Sequence, residues 1–145
     1  MPAAAAYPAT RYEPPPLIDL SEKSQRERLS PPAVRTFFNM MERWDVRDED
    51  ARALLGGVSN GAFYQMKKDT DRTLETDRLL RISYLIGIFK ALNILYSEKL
   101  ADAWMQLENK NRIFGGQTPL AYVIKGGAPA MHTVRRLLDA RRGGT

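Results

Sequence analysis

The chain has 145 residues, 43% of them hydrophobic, a formal net charge of +5 and no cysteine. That length suits one compact unit or two small ones sharing a core. The missing thiols exclude disulfides and thiolate catalysis, and a single histidine, His132, makes structural zinc untenable.

Residues 1–29 read as a flexible arm. Pro2, Pro8, Pro14, Pro15 and Pro16 deny it the backbone donors that a helix or central strand needs, and a mixed-charge run from Glu22 to Arg28 follows. Within the arm, Leu17-Ile18-Asp19-Leu20 is a short apolar stretch able to dock on a partner. The N-terminus shows no basic n-region and no continuous apolar stretch, so no secretory signal is expected and the location predicted is cytoplasmic. Order is predicted to begin at Ser30-Pro31-Pro32, as an N-cap followed by proline at the first helical position. Val34, Phe37, Phe38, Met41 and Trp44 then recur at helical spacing.

A second helix is expected from Asp48, where Asp48, Glu49 and Asp50 sit favourably at the positive end of its dipole. It buries Ala51, Leu54 and Leu55 and stops at Gly56-Gly57. Ser59 caps a third helix, Asn60 to Lys68, with Ala62, Phe63 and Met66 pointing inward. Two short helices joined by a glycine-containing turn form a helix-turn-helix.

A long apolar helix starts at Thr76 or Asp77, and from Leu79 to Tyr96 it holds 13 apolar residues in 18. Arg81, Lys90 and Asn93 interrupt it, so it is a buried helix rather than a membrane span. Its apolar excess predicts that, with the long helix before the turn, it helps form a homodimer holding two reading helices about 34 Å apart, simple burial within one subunit being the plain alternative. Ser97 caps a further helix running to Trp104. Thr118-Pro119 opens another, and Gly126-Gly127 divides it from the last. No stretch alternates at period two, so the fold predicted is all-α: an arm (1–29), a helix-turn-helix domain (30–96) and a small helical domain (97–145).

Two surfaces are candidates for binding. On the third helix Asn60, Tyr64 and Lys67 share one outward face, with Gln65, Lys68 and the capping Ser59 beside them. Asn and Gln can read adenine, while Lys and Tyr reach phosphate or guanine. A merely solvated polar face is the plain alternative, since Ser30 to Glu75 carries seven basic and eight acidic residues. The second surface is the tail. From Lys110 to Thr145 seven Lys and Arg face Asp139 alone, whereas the first 109 residues have a net charge of −1. Such polarity is suited to meeting something anionic.

No catalytic set is visible, and no cofactor or metal is implied. Gly115-Gly116-Gln117 is the tripeptide with which peptide-release factors position water. Here it runs straight into the helix cap Thr118-Pro119 and reads as a turn. His132 reads as a helix-surface residue, and Asp139 with Arg135 and Arg142 as ordinary helix-surface ion pairs.

The chain resembles the Xre/MbcA/ParS antitoxins of bacterial toxin–antitoxin operons, whose cognate toxins carry the RES domain. The resemblance runs from about Ser30 to Gly144. It rests on Asp77 to Leu92, on Ala101-Asp102-Ala103-Trp104, and on the segments Phe114 to Leu120 and Val134 to Gly144. Lys110-Asn111 departs from the Pro-Asn pair usual in the family and lies two residues further from the tryptophan. The resemblance implies an Xre-like helix-turn-helix bundle followed by a small helical toxin-binding domain. It implies a non-enzymatic antitoxin that blocks the NAD site of a RES toxin, dimerises, and represses its own operon by binding operator DNA. Competing classes are a stand-alone helix-turn-helix transcriptional regulator and a ribosome-associated RNA-binding factor.

The segment expected to contact the toxin is Val134, Arg135, Arg136, Leu137, Leu138, Arg141, Arg142, Gly143 and Gly144. In that expectation the apolar face of Val134, Leu137 and Leu138 packs on the toxin, and the arginines pair with acidic groups rimming its pocket. Gly143-Gly144-Thr145 then enters where phosphate would bind.

Overall fold

The structure is a computed structural model, and it describes residues 18–143. The expectations for residues 1–17, and for Gly144 and Thr145, lie outside the described residues. The described residues are all-α: α1 (Lys23–Arg43), α2 (Asp48–Leu54), α3 (Asn60–Lys68), α4 (Thr76–Leu95), α5 (Glu98–Ala103) and α6 (Pro119–Gly143). Two single turns of 3-10 helix, Trp104–Gln106 and Arg112–Phe114, connect α5 to α6. Among the described residues no helix is long and apolar enough to cross a membrane.

Helix α1 begins at Lys23, not at Ser30, so Pro31 and Pro32 lie inside it. The prolines remove the bonds that would reach the carbonyls of Glu27 and Arg28, and both of these residues are exposed to water. Ser30 is therefore no cap. Buried completely, it donates its hydroxyl to the Arg26 carbonyl at 2.6 Å and accepts from the Leu74 amide at 2.8 Å. Of the apolar stretch ahead of α1, Leu20 docks on its own chain: it packs against the core and its carbonyl accepts from the Thr76 hydroxyl at 3.0 Å, while Ile18 is exposed. Beside it, hydrogen bonds from the hydroxyl and amide of Ser21 hold the Asp19 carboxyl below its ordinary value.

The other start signals behave as the sequence suggests. Ser59 accepts from the Ala62 amide at 3.2 Å, Ser97 from Leu100 at 3.4 Å, and Thr118 from Ala121 at 3.1 Å. Helix α6 breaks at Gly127, whose φ of 68° and ψ of −151° belong to a region open only to glycine. It is two segments at an angle, and Pro129 falls in the first turn of the second, where its missing donor costs nothing.

One core serves the whole chain. Helix α4 lies between α1 and α6, burying Leu79, Ile82, Leu85, Ile88, Ala91 and Leu92. The second segment of α6 runs parallel along it, with His132 stacked on Tyr84 at 5.3 Å and Arg141 donating to the Tyr96 hydroxyl at 3.1 Å. The apolar excess that suggested a dimer is thus mostly spent inside the subunit. What remains outside is Leu80 (36% exposed) and Ile94 (62% exposed).

The two expected domains are stitched together. The Gln106 side-chain amide donates to the Trp44 and Asp45 carbonyls at 3.2 and 3.1 Å, closing the C-terminus of α1. Arg43 reaches Asp102 at 3.0 Å and lies over the Phe89 ring at 5.1 Å. Arg81 passes between Gly56 and Gly127: a Cβ at either would stand 3.2 or 3.7 Å from its guanidinium side chain.

Candidate functional site

Helix α3 is held by two side chains, Phe63 and Met66, and everything else on it faces outward. Ala62, expected inside, is exposed, because Phe63 and Met66 alone define the inner face of so short a helix. Ser59, Asn60, Tyr64, Gln65, Lys67 and Lys68 are all exposed, so the predicted reading face exists as a surface. Its charge does not stand free. Lys67 Nζ pairs with Asp48 Oδ1 at 3.0 Å and sits over the Phe63 ring at 5.0 Å. Lys68 Nζ lies over the Tyr64 ring at 5.0 Å. Behind α3, the turn is set by two arginines: Arg52 and Arg78 each donate Nε at 3.1 Å, to the carbonyls of Val58 and Leu55. Arg78 satisfies an acceptor at the C-terminal end of α2, where positive charge suits the dipole, and Arg52 one in the turn that leads to α3.

The tail differs from its expectation in one respect that matters. Val134 and Leu138 are fully buried in the chain's own core, together with Met131, and Leu137 is partly buried against it. Three- and four-residue spacing reports an apolar face correctly, but α4 occupies that face, so Val134 and Leu138 are not free to pack on a toxin. They position the helix, and the outward face carries the charge. Arg135 and Arg142 share Asp139, at 3.8 and 3.5 Å. Arg136 is exposed and has no carboxylate partner among the described residues, while Arg141 has only the neutral Tyr96 hydroxyl. Arg135 crosses α4 at Gly87, where a Cβ would stand 2.5 Å from its Nε. Gly87 is therefore a notch for this arginine, which explains a glycine in the middle of a 20-residue helix.

A feature that the motifs did not single out lies between the 3-10 turn at Arg112–Phe114 and the first segment of α6. A cleft of about 330 Å³ opens there, with Phe114 and Tyr122 packed edge to face at 5.3 Å in its wall and Lys125 at its rim. Gly115 and Gly116, both at positive φ, turn the chain beneath it, and the Gln117 amide closes the turn on the Phe114 carbonyl at 2.9 Å. The Gly-Gly-Gln tripeptide is thus a turn. A larger cleft of about 550 Å³ lies between α1, α2 and α3, lined by Phe38, Met41, Asp48, Phe63 and Lys67. Among the described residues no three His, Cys, Asp or Glu side chains come together to hold a metal.

Comparison with known proteins places this geometry. Residues 91–144 match the family model of the antitoxin Xre/MbcA/ParS C-terminal toxin-binding domain. The chain is 34% identical over 130 residues to the uncharacterized protein y4oB of Sinorhizobium fredii (strain NBRC 101917 / NGR234), an alignment covering 89% of this chain and 98% of that one. No solved structure matches. The chain belongs to the Xre/MbcA/ParS antitoxin family, as a toxin-binding antitoxin of a toxin–antitoxin system. The match begins inside α4, which both halves of the molecule share.

Proposed function

We propose that this antitoxin neutralises a RES-type, NAD-consuming toxin by covering its NAD site with the C-terminal end of α6. The observation that carries this reading is the division of labour on that helix. Met131, Val134 and Leu138 fix its inner face along α4. The outer face and end then project Arg136, Arg141 and Arg142 into solvent. A pocket that binds the anionic pyrophosphate of NAD is itself positive, so these arginines meet acidic groups at the pocket's rim rather than its floor. Arginine suits that task because its planar fork engages carboxylates bidentately.

Growth rescue tests the proposal. Co-expressed with its cognate toxin, the chain carrying Arg136→Glu, Arg141→Glu and Arg142→Glu is expected to lose protection while remaining folded and helical. Losing one partner of a buried pair of this kind costs about 2–5 kcal/mol of affinity. Full protection by the triple variant would refute the proposal.

The same reading assigns autorepression to the α2–turn–α3 unit, with Asn60, Tyr64 and Gln65 meeting operator DNA. Their exposure and the capped, glycine-turned geometry support it. Dimerisation, which two-fold operators require, is assigned to the two apolar side chains that α4 leaves exposed, Leu80 and Ile94. A monomer by light scattering at micromolar concentration would remove that assignment.

A further inference from the structure

We propose that the toxin is gripped at a second place, the cleft between Arg112–Phe114 and the first segment of α6, by a segment bearing an apolar side chain next to an acidic one. Three observations converge there. The first is shape: the cleft of about 330 Å³ has a rigid aromatic wall, in which Phe114 is pinned between Trp104 at 6.0 Å and Tyr122 at 5.3 Å. The second is an apolar group left partly uncovered, since Ile113 at the mouth is 37% exposed.

The third is charge. From Asn109 to Leu138 the chain has five basic residues and no acidic one. Lys110, Arg112 and Lys125 have no carboxylate partner among the described residues. An apolar mouth with the unanswered Lys125 in its lining, and Lys110 and Arg112 just before it in the chain, is complementary to an acidic-apolar segment and repels a basic one.

The cleft lies wholly within residues 91–144, the part of the chain that the family assigns to toxin binding, and so is continuous with that interface. The larger cleft beside α3 lacks this character, because three acidic residues, Glu42, Asp45 and Asp48, line it and Asp48 already answers Lys67. Gly127 lies between the second grip and the arginine-bearing segment, and its backbone angles fix the direction from one to the other.

This inference rests on the toxin-neutralising reading, and one titration series separates the two. Full-length chain is titrated into toxin purified from the co-expressed complex, at low and at high salt. Lys125→Glu is expected to weaken binding by about tenfold or more, and Lys125→Met by less, with a flatter salt dependence in both. Ile113→Asp is expected to weaken binding with little loss of fold, since its side chain is already partly in water. Arg28→Glu, the same charge change on α1, is expected to leave affinity unchanged. Wild-type affinity in Lys125→Glu and Ile113→Asp, with intact helical signal, would overturn the second grip and leave the neutralising reading standing. Failure of the wild-type chain to bind the toxin would overturn both.

Discussion

Helix α3 and the second segment of α6 look alike in sequence: amphipathic, with basic residues crowded toward the C-terminal end. Their surroundings make them opposites. Helix α3 has nine residues and two buried anchors, and Lys67 on it is drawn back onto Asp48 and two aromatic rings. The α6 segment rests on Ala130, Met131, Val134 and Leu138, and keeps Arg136 and Arg141 clear of carboxylates among the described residues. One helix is lightly held, with one of its two lysines answered by a carboxylate; the other is firmly held, with two of its four arginines clear of one among the described residues. A count of positive charges therefore says little about binding until the partner of each charge is known.

The sharpest test of that contrast is mechanical. Leu138→Ala is expected to cost about 2–5 kcal/mol in urea unfolding, because a completely buried leucine leaves a cavity in a shared core. Arg136→Ala, two residues away on the outer face, is expected to change stability by less than about 0.5 kcal/mol. Equal effects from the two would mean that the helix is not divided into a positioning and a binding face. A smaller effect is expected at the other helix. Asp48→Asn releases Lys67, so binding to non-specific duplex DNA should tighten and its salt dependence steepen by about one unit of slope. The exposed Asp48–Lys67 pair contributes about 0–1 kcal/mol, so stability should hardly move. No change in the salt slope would show that Lys67 does not face DNA.

The sequence was readable wherever a signal is decided within a few residues. The Ser59 and Thr118-Pro119 caps, the stop at Gly56-Gly57 and the break at Gly126-Gly127 all depend on adjacent backbone, and all fall where expected. It misled where the deciding partner is remote. Ser30 looked like a cap because prolines follow it, but its acceptor role is set by Leu74, 44 positions away. Periodicity identified Val134 and Leu138 as one apolar face without saying that α4 covers it. Asp48 appeared as a dipole-friendly helix start, and its pairing with Lys67 depends on how α2 and α3 fold against each other. The cleft at Ile113 and Lys125 went unmarked, although an acid-free run containing an isoleucine between Arg112 and Phe114 was a signal that could have raised it.

The Gln106 amide that closes α1, and the Arg81 guanidinium threaded between Gly56 and Gly127, have a consequence for turnover. Neither half of the chain can open without stripping a cap or a filler from the other, so the molecule is expected to melt as a single cooperative unit. A cellular protease acting on the opened form would then erase the surface around α3 and the surface around α6 with one rate constant. If α3 binds the operator as proposed, toxin release and operon release would share a clock, and neither could be tuned by local fraying without the other.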